Sequence, residues 1–134
     1  MTILRAQLTG SAPVLLVKDV KASAAYYRDA VGFTYDRFYG EPESFVILQR
    51  DKMYLMLKQA DDPKHIMPHW KVSPQLWNVY FWVNAVDALY AECVRNGAKI
   101  DYGLCDQEYG CREFGIQDLD DYDIGFGQII ASNL

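Results

Sequence analysis

At 134 residues the chain has the length of one domain, too short for two independent cores. Hydrophobic residues at 51% and charged residues at 23% allow a buried interior under a polar surface, which excludes a disordered chain. Thirteen Lys and Arg against eighteen Asp and Glu leave a net charge of −5, the wrong sign for tracking phosphates, so nucleic acid is excluded as a partner.

The first predicted element, Ala12 to Val17, is a short apolar run between Gly10-Ser11 and Lys18-Asp19, the pattern of a buried strand. Val20, Ala24, Tyr27 and Val31 then recur every three to four residues, predicting an amphipathic helix with Asp19 as its N-cap and Gly32 as its stop. Strands follow at Phe33–Tyr39, Phe45–Gln49 and Met53–Lys58, separated by turn residues at Gly40–Glu43 and Arg50–Lys52. Between Gln59 and Gln75, Pro63, Pro68 and Pro74 interrupt regular structure and mark a linker. Trp77–Val83 is again a buried-strand run. Asn84 is read as the cap of a second helix, with Asp87 at its third position, Val86, Leu89, Tyr90 and Cys93 on one face, and Gly97 at its end. Lys99–Tyr102, Cys111–Gln117 and Tyr122–Ile130 complete the strands, the last two joined by the acidic turn Asp118–Asp121.

Each half therefore reads βαβββ. Superposing Val17 on Val83 and Val20 on Val86 brings Gly32 close to Gly97, an internal repeat of about 65 residues. The expectation is an α+β fold in a single domain spanning 1–134, with two βαβββ modules in tandem (about 11–60 and about 76–130), a linker at about 61–75, and mixed sheets curling around a cleft. One helix per module covers one face of its sheet, so the other face needs the second module or another chain. No apolar segment reaches the roughly 18 residues of a membrane span, and Met1–Gly10 has neither the basic start nor the apolar run of a signal peptide. A cytoplasmic protein without a membrane partner is expected. Cys93, Cys105 and Cys111, an odd set, are read as reduced thiols.

Ten Tyr, six Phe and three Trp exceed what packing needs in so small a core, so some rings are expected to line a cavity or interface. Strand alternation puts Asn78, Tyr80 and Trp82 on one face and Val79, Phe81 and Val83 beneath the helix. The same alternation places Ala12, Val14 and Leu16, then Tyr54, Met56 and Lys58, then Asp123, Gly125 and Gly127 on the inward faces of three other strands. The small residues Ala12 and Gly125 are expected to leave open volume between the sheets. A competing reading makes Tyr80 and Trp82 simple interior filling. Trp70, Trp77 and Tyr109 come from loops, and Phe38 and Tyr39 fall near the cleft mouth.

Val17-Lys18-Asp19, Ala25-Tyr26-Tyr27, Val31-Gly32-Phe33, the stretch Val83–Gly97, and Arg112-Glu113-Phe114-Gly115-Ile116-Gln117-Asp118 leading to Phe126-Gly127-Gln128 occur in the order found in the vicinal oxygen chelate (glyoxalase/bleomycin resistance protein/dioxygenase) superfamily, which this chain resembles along nearly its whole length. The last block looks most like the bleomycin-resistance branch, with Asp118-Leu119-Asp120-Asp121 in place of the usual Asp-Pro-Asp-Gly turn. The resemblance implies paired βαβββ modules, a homodimer and two ligand clefts. It also implies metal-ligand positions on the first, fourth, fifth and last strands, which here hold Ala12, Met56, Asn78 and Gly125. Only Asn78 offers an oxygen, a neutral and weak one. No metal and no cofactor are therefore expected.

Other donor sets are weaker still. His65 and His69 flank Pro68 in a Pro-rich loop, and Asp118–Asp123 lacks the Gly and Glu of a calcium loop. Cys105 and Cys111 lie among Asp106, Glu108 and Glu113, which raises thiol pKa values and argues against nucleophilic catalysis. Glu113 stands open between facing a ligand and tying strands together. The leading expectation is a metal-independent protein that binds and sequesters an aromatic or cationic small molecule in a dimer cleft, through Phe38, Tyr54, Trp70, Asn78, Tyr80, Trp82, Glu113 and Asp123, with no catalytic residue. The alternative is a glyoxalase- or dioxygenase-like lyase or isomerase with an atypical metal or none, using Tyr80, Glu113 or Asp123 as acid or base. A third reading is an interaction module whose aromatic face is buried against another chain.

Overall fold

Asp19 starts helix α1 (Val20–Val31): its Oδ1 accepts the N–H groups of Lys21 and Ala22 at 3.1 Å each. Gly32 ends the helix at φ +76°, a left-handed conformation that a side chain would strain. The buried face of α1, with Ala24, Tyr27 and Val31, lies on a four-stranded sheet of β1 (Val14–Val17), β2 (Phe38–Tyr39), β3 (Phe45–Arg50) and β4 (Met53–Gln59) in the order β1-β4-β3-β2, β1 and β4 being parallel. The same plan recurs with β5 (Val79–Trp82), α2 (Val86–Arg95), β6 (Lys99–Asp106), β7 (Cys111–Gln117) and β8 (Asp123–Ile129), ordered β5-β8-β7-β6 with β5 and β8 parallel. The structure, a computed structural model, describes residues 4–130. The fold is thus two tandem βαβββ modules in the α+β class. Even the register repeats: Val14 opposite Met56 corresponds to Tyr80 opposite Gly125.

Several boundaries differ from the sequence reading for local reasons. β1 begins at Val14, because Pro13 has no N–H for the ladder and contributes only its carbonyl, to Met56 N–H at 2.9 Å. The strand expected at Phe33–Tyr39 shrinks to Phe38–Tyr39: Phe33 N–H turns back to the Tyr27 carbonyl, and Thr34 makes an isolated bridge to Gln49. The linker holds two single-turn 3₁₀ helices, Pro63–His65 and His69–Lys71. Asn84 does not cap α2. Ala85 occupies that position without a side-chain bond, and the first helical N–H, from Val86, goes to Gln128 Oε1 at 2.9 Å. Gln59 serves Val20 N–H in the same way, at 3.1 Å.

The modules join through their helix-covered sides into one core, in which Leu15, Tyr27, Val46 and Leu57 of the first are continuous with Val79, Phe114, Ile124 and Phe126 of the second. Tyr26 Oη donates to the Gln117 carbonyl at 2.7 Å and accepts Lys99 N–H at 3.0 Å, bridging α1 to two strands of the other module. Tyr27 Oη donates to Asp118 Oδ2 at 2.6 Å, and Arg50 reaches Glu92 Oε2 at 2.6 Å and the Val31 carbonyl at 2.8 Å. The opposite faces of the sheets stay uncovered by this chain, as the exposure of Val14, Leu16, Tyr39, Tyr54 and Trp82 records. Among the described residues no helix is long and apolar enough to cross a membrane. Cys93, Cys105 and Cys111 are all free thiols, raised in pKa chiefly by burial.

Candidate functional site

Alternation in β5, β7 and β8 builds the open face of the second sheet in rows. One row runs Tyr80, Gly125, Gly115, Tyr102, and the next Trp82, Gly127, Glu113, Cys105. The three glycines form a floor on which rings lie. A Cβ on Gly127 would overlap the Tyr80 hydroxyl, one on Gly115 the Tyr102 ring, and one on Gly125 would come within 2.8 Å of both Tyr80 and Trp77. The open volume expected over Gly125 is therefore taken up by these rings, because side chains of neighbouring strands fold over positions that lack a Cβ.

Glu113 sits under the rings at 1% exposure. Its Oε1 accepts from Tyr80 Oη at 3.0 Å and from Tyr109 Oη, and its Oε2 from Tyr102 Oη at 2.5 Å; Trp77 Nε1 donates in turn to Tyr102 Oη at 2.9 Å. Burial, and next the bonds to Glu113, raise the pKa values of Tyr80, Tyr102 and Tyr109, so all three stay protonated donors. Above the carboxylate, Trp77, Tyr80 and Trp82 follow edge to face, with centroids 4.8 and 5.0 Å apart. Trp82, 60% exposed, forms the outer surface of this aromatic stack.

Of the residues expected from sequence, Tyr80, Trp82 and Glu113 come together here. Asn78 and Asp123 lie at one end of the same sheet and are already engaged: Asn78 Oδ1 accepts His69 N–H at 2.8 Å, and Asp123 Oδ1 accepts from Gln117 Nε2 at 3.0 Å, with burial raising the Asp123 pKa. Tyr54 is on the open face of the first sheet, beside Tyr39, Ile47 and Gln49 around a depression of about 420 Å³. Phe38 turns to the other face with Val46, against Tyr35 and under the Lys21 ammonium. Trp70 donates to the Asp121 carbonyl at 2.6 Å, at the β7–β8 turn. Trp77, one of the loop rings expected from sequence, completes the site with Tyr102 and the glycine floor; Tyr102 and Gly115 were not foreseen, although glycine at every second position of β8 signals a close approach.

At the positions where related enzymes would hold a divalent ion, Met56 and Gly125 bring no donor, Ala12 lies outside β1, and the one oxygen, on Asn78, is occupied by His69 N–H. These side chains do not fit a metal.

The sequence profile of the Glyoxalase/Bleomycin resistance protein/Dioxygenase superfamily matches residues 9–126. No curated protein sequence matches the chain. Among solved structures, the bleomycin-binding protein of Streptomyces verticillus in complex with copper(II)-bleomycin is similar at TM-score 0.69 and 23% identity, over 91% of this chain and 97% of that one. TnmS3, an antibiotic binding protein from Streptomyces sp. CB03234, is similar at TM-score 0.71 and 19% identity, over 94% and 99%. A glyoxalase-related enzyme from Clostridium phytofermentans is similar at TM-score 0.73 and 15% identity, over 93% and 98%. At these identities the likeness is one of fold.

Proposed function

Because the chain belongs to the Glyoxalase/Bleomycin resistance protein/Dioxygenase superfamily, we propose that it is a metal-independent binding protein of the bleomycin-resistance type, which sequesters an aromatic or cationic small molecule without transforming it. The observation that carries this reading is the tier of Trp77, Tyr80 and Trp82 above a buried carboxylate that has hydroxyl partners but no cation among the described residues. A planar ring stacks on Trp82, and a positive group gains from Glu113 and the net charge of −5. The protein acts as a cytoplasmic homodimer, in which the open face of the first sheet, with Tyr54, closes over the second sheet of a partner chain. Two uncovered sheet faces per chain and three free thiols support this. The tyrosine hydroxyls, held as donors to Glu113, suit holding a ligand better than exchanging protons with one.

Titration of tryptophan fluorescence with bleomycin and with planar organic cations tests the proposal. Saturable quenching is expected, shifted to about tenfold higher ligand concentration in Trp82→Ala and unchanged in Trp70→Phe, whose ring is tied to the β7–β8 turn. Sedimentation is expected to give twice the 15.4 kDa chain mass. Absence of both quenching and thermal stabilisation across the panel would reject the reading.

A further inference from the structure

Beside the shared core, two turns each dock on the other module, and these two joints are related by the internal repeat. At one joint the β7–β8 turn, closed by Asp118 N–H on the Tyr122 carbonyl, docks on the β1–α1 connection, with Asp118 tied to Tyr27 of α1. At the other the β3–β4 turn, closed by the pair Arg50 and Met53, faces the β5–α2 connection, with Arg50 tied to Glu92 of α2. The β7–β8 turn is one residue longer, and its joint is sealed. Tyr122 is buried at 4% exposure with its hydroxyl on the Leu16 carbonyl at 2.6 Å, while Asp120 accepts Lys18 N–H at 3.0 Å and the Ser23 hydroxyl at 3.3 Å.

The corresponding residue to Tyr122 is Met53, 52% exposed, and among the described residues the Asp51 carboxylate reaches only back to its neighbour Arg50, at 3.8 Å. A groove of about 510 Å³ remains, within the range of small-molecule pockets. Its floor is Phe33, Phe81 and Phe126, rings 5.7 to 5.9 Å apart, and Leu89 stands where Ser23 stands in the sealed joint. The repeat places the Trp82 carbonyl where the Leu16 carbonyl is, and Asn84 N–H where Lys18 N–H is. β5 is an edge strand and Val83 N–H bonds the Gly127 carbonyl, so the Trp82 carbonyl points away from β8. Asn84 N–H has no acceptor among the described residues.

We infer that this groove is a second small-molecule site, apart from the sheet faces of the proposed function, and that it takes a planar phenol bearing a carboxylate. The ring replaces Tyr122 on the phenylalanine floor, the phenol hydroxyl donates to the Trp82 carbonyl, and the carboxylate takes Asn84 N–H as Asp120 takes Lys18 N–H.

Amide NMR of the intact protein tests this with 4-hydroxyphenylacetate as the probe. Saturable shifts are expected at Val83, Asn84 and Ala88, with 4-methylphenol, the same ring without the carboxylate, binding at least about tenfold more weakly. Ala88→Leu adds bulk at an exposed helical position on the groove wall and is expected to lower affinity by at least about tenfold while thermal stability is kept. No saturable shift, shifts centred on Tyr80 and Glu113, equal binding of 4-methylphenol, or groove amides that change with protein concentration alone, as a second copy in the groove would cause, would each overturn the proposal. The wild-type comparison of the two probes decides even if the variant misfolds.

Discussion

Strand alternation left Glu113 open between a ligand contact and a tie within the sheet, and the structure shows the tie. Its two oxygens are engaged by three tyrosine hydroxyls from β5, β6 and the loop before β7, so its first role is to hold the aromatic tier in place. Tyr102 is the link with most to lose, since its hydroxyl donates to Glu113 and accepts from Trp77. Tyr102→Phe leaves one oxygen and one indole N–H unpaired, and is expected to cost about 1–3 kcal/mol. The urea unfolding midpoint measures this, and Tyr109→Phe, on a more exposed ring, is the milder comparison. The two-residue alternation of side-chain direction along the apolar run of β5 made Tyr80 and Trp82 legible. Tyr102 was not, because β6 carries register shifts on either side of it and its face follows from pairing with Gly115 rather than from its own strand.

Helix α1 and helix α2 are the same element with different starts. Asp19 caps the first, Ala85 stands in its place in the second, and in both a glutamine from the neighbouring parallel strand takes the first helical N–H. An Asn read as a cap from its position one residue too early is an error of local pattern: the side chain that satisfies α2 lies 42 residues away in sequence. Ala85→Asp supplies the missing cap side chain, and is expected to stabilise the protein by about 1 kcal/mol, seen as a higher thermal midpoint. An unchanged or lower midpoint would mean that the added carboxylate does not reach the Asp87 and Ala88 N–H groups.

The joints between modules set the behaviour of the whole molecule. Asp118, at 2% exposure, is pushed up to about 6 by burial, against the lowering effect of bonds from Tyr27, Tyr122 and Asp120. Its folded pKa lies above the unfolded value, so its stabilising contribution is present in full below about pH 4 and lost as pH rises through about 6. Asp118→Asn keeps an oxygen for the two backbone N–H groups it serves and removes the titration. The difference in stability between the two proteins is expected to change by on the order of 2 kcal/mol between pH 4 and 6, the native protein gaining on acidification. Equilibrium unfolding at a series of pH values reads this directly, and parallel curves would show that Asp118 does not titrate in that range.

Strand and helix periods and donor chemistry are local properties of the chain, so the two βαβββ modules, the apolar and aromatic faces of β5 and the poverty of metal donors are all legible before folding. Tertiary structure decided the rest. That glycines of β7 and β8 become a floor for rings from β5 and β6, that Phe38 turns toward the helix, and that one joint is sealed while its counterpart is open all depend on cross-strand register and on the length of a single turn, which bring together residues far apart in the chain.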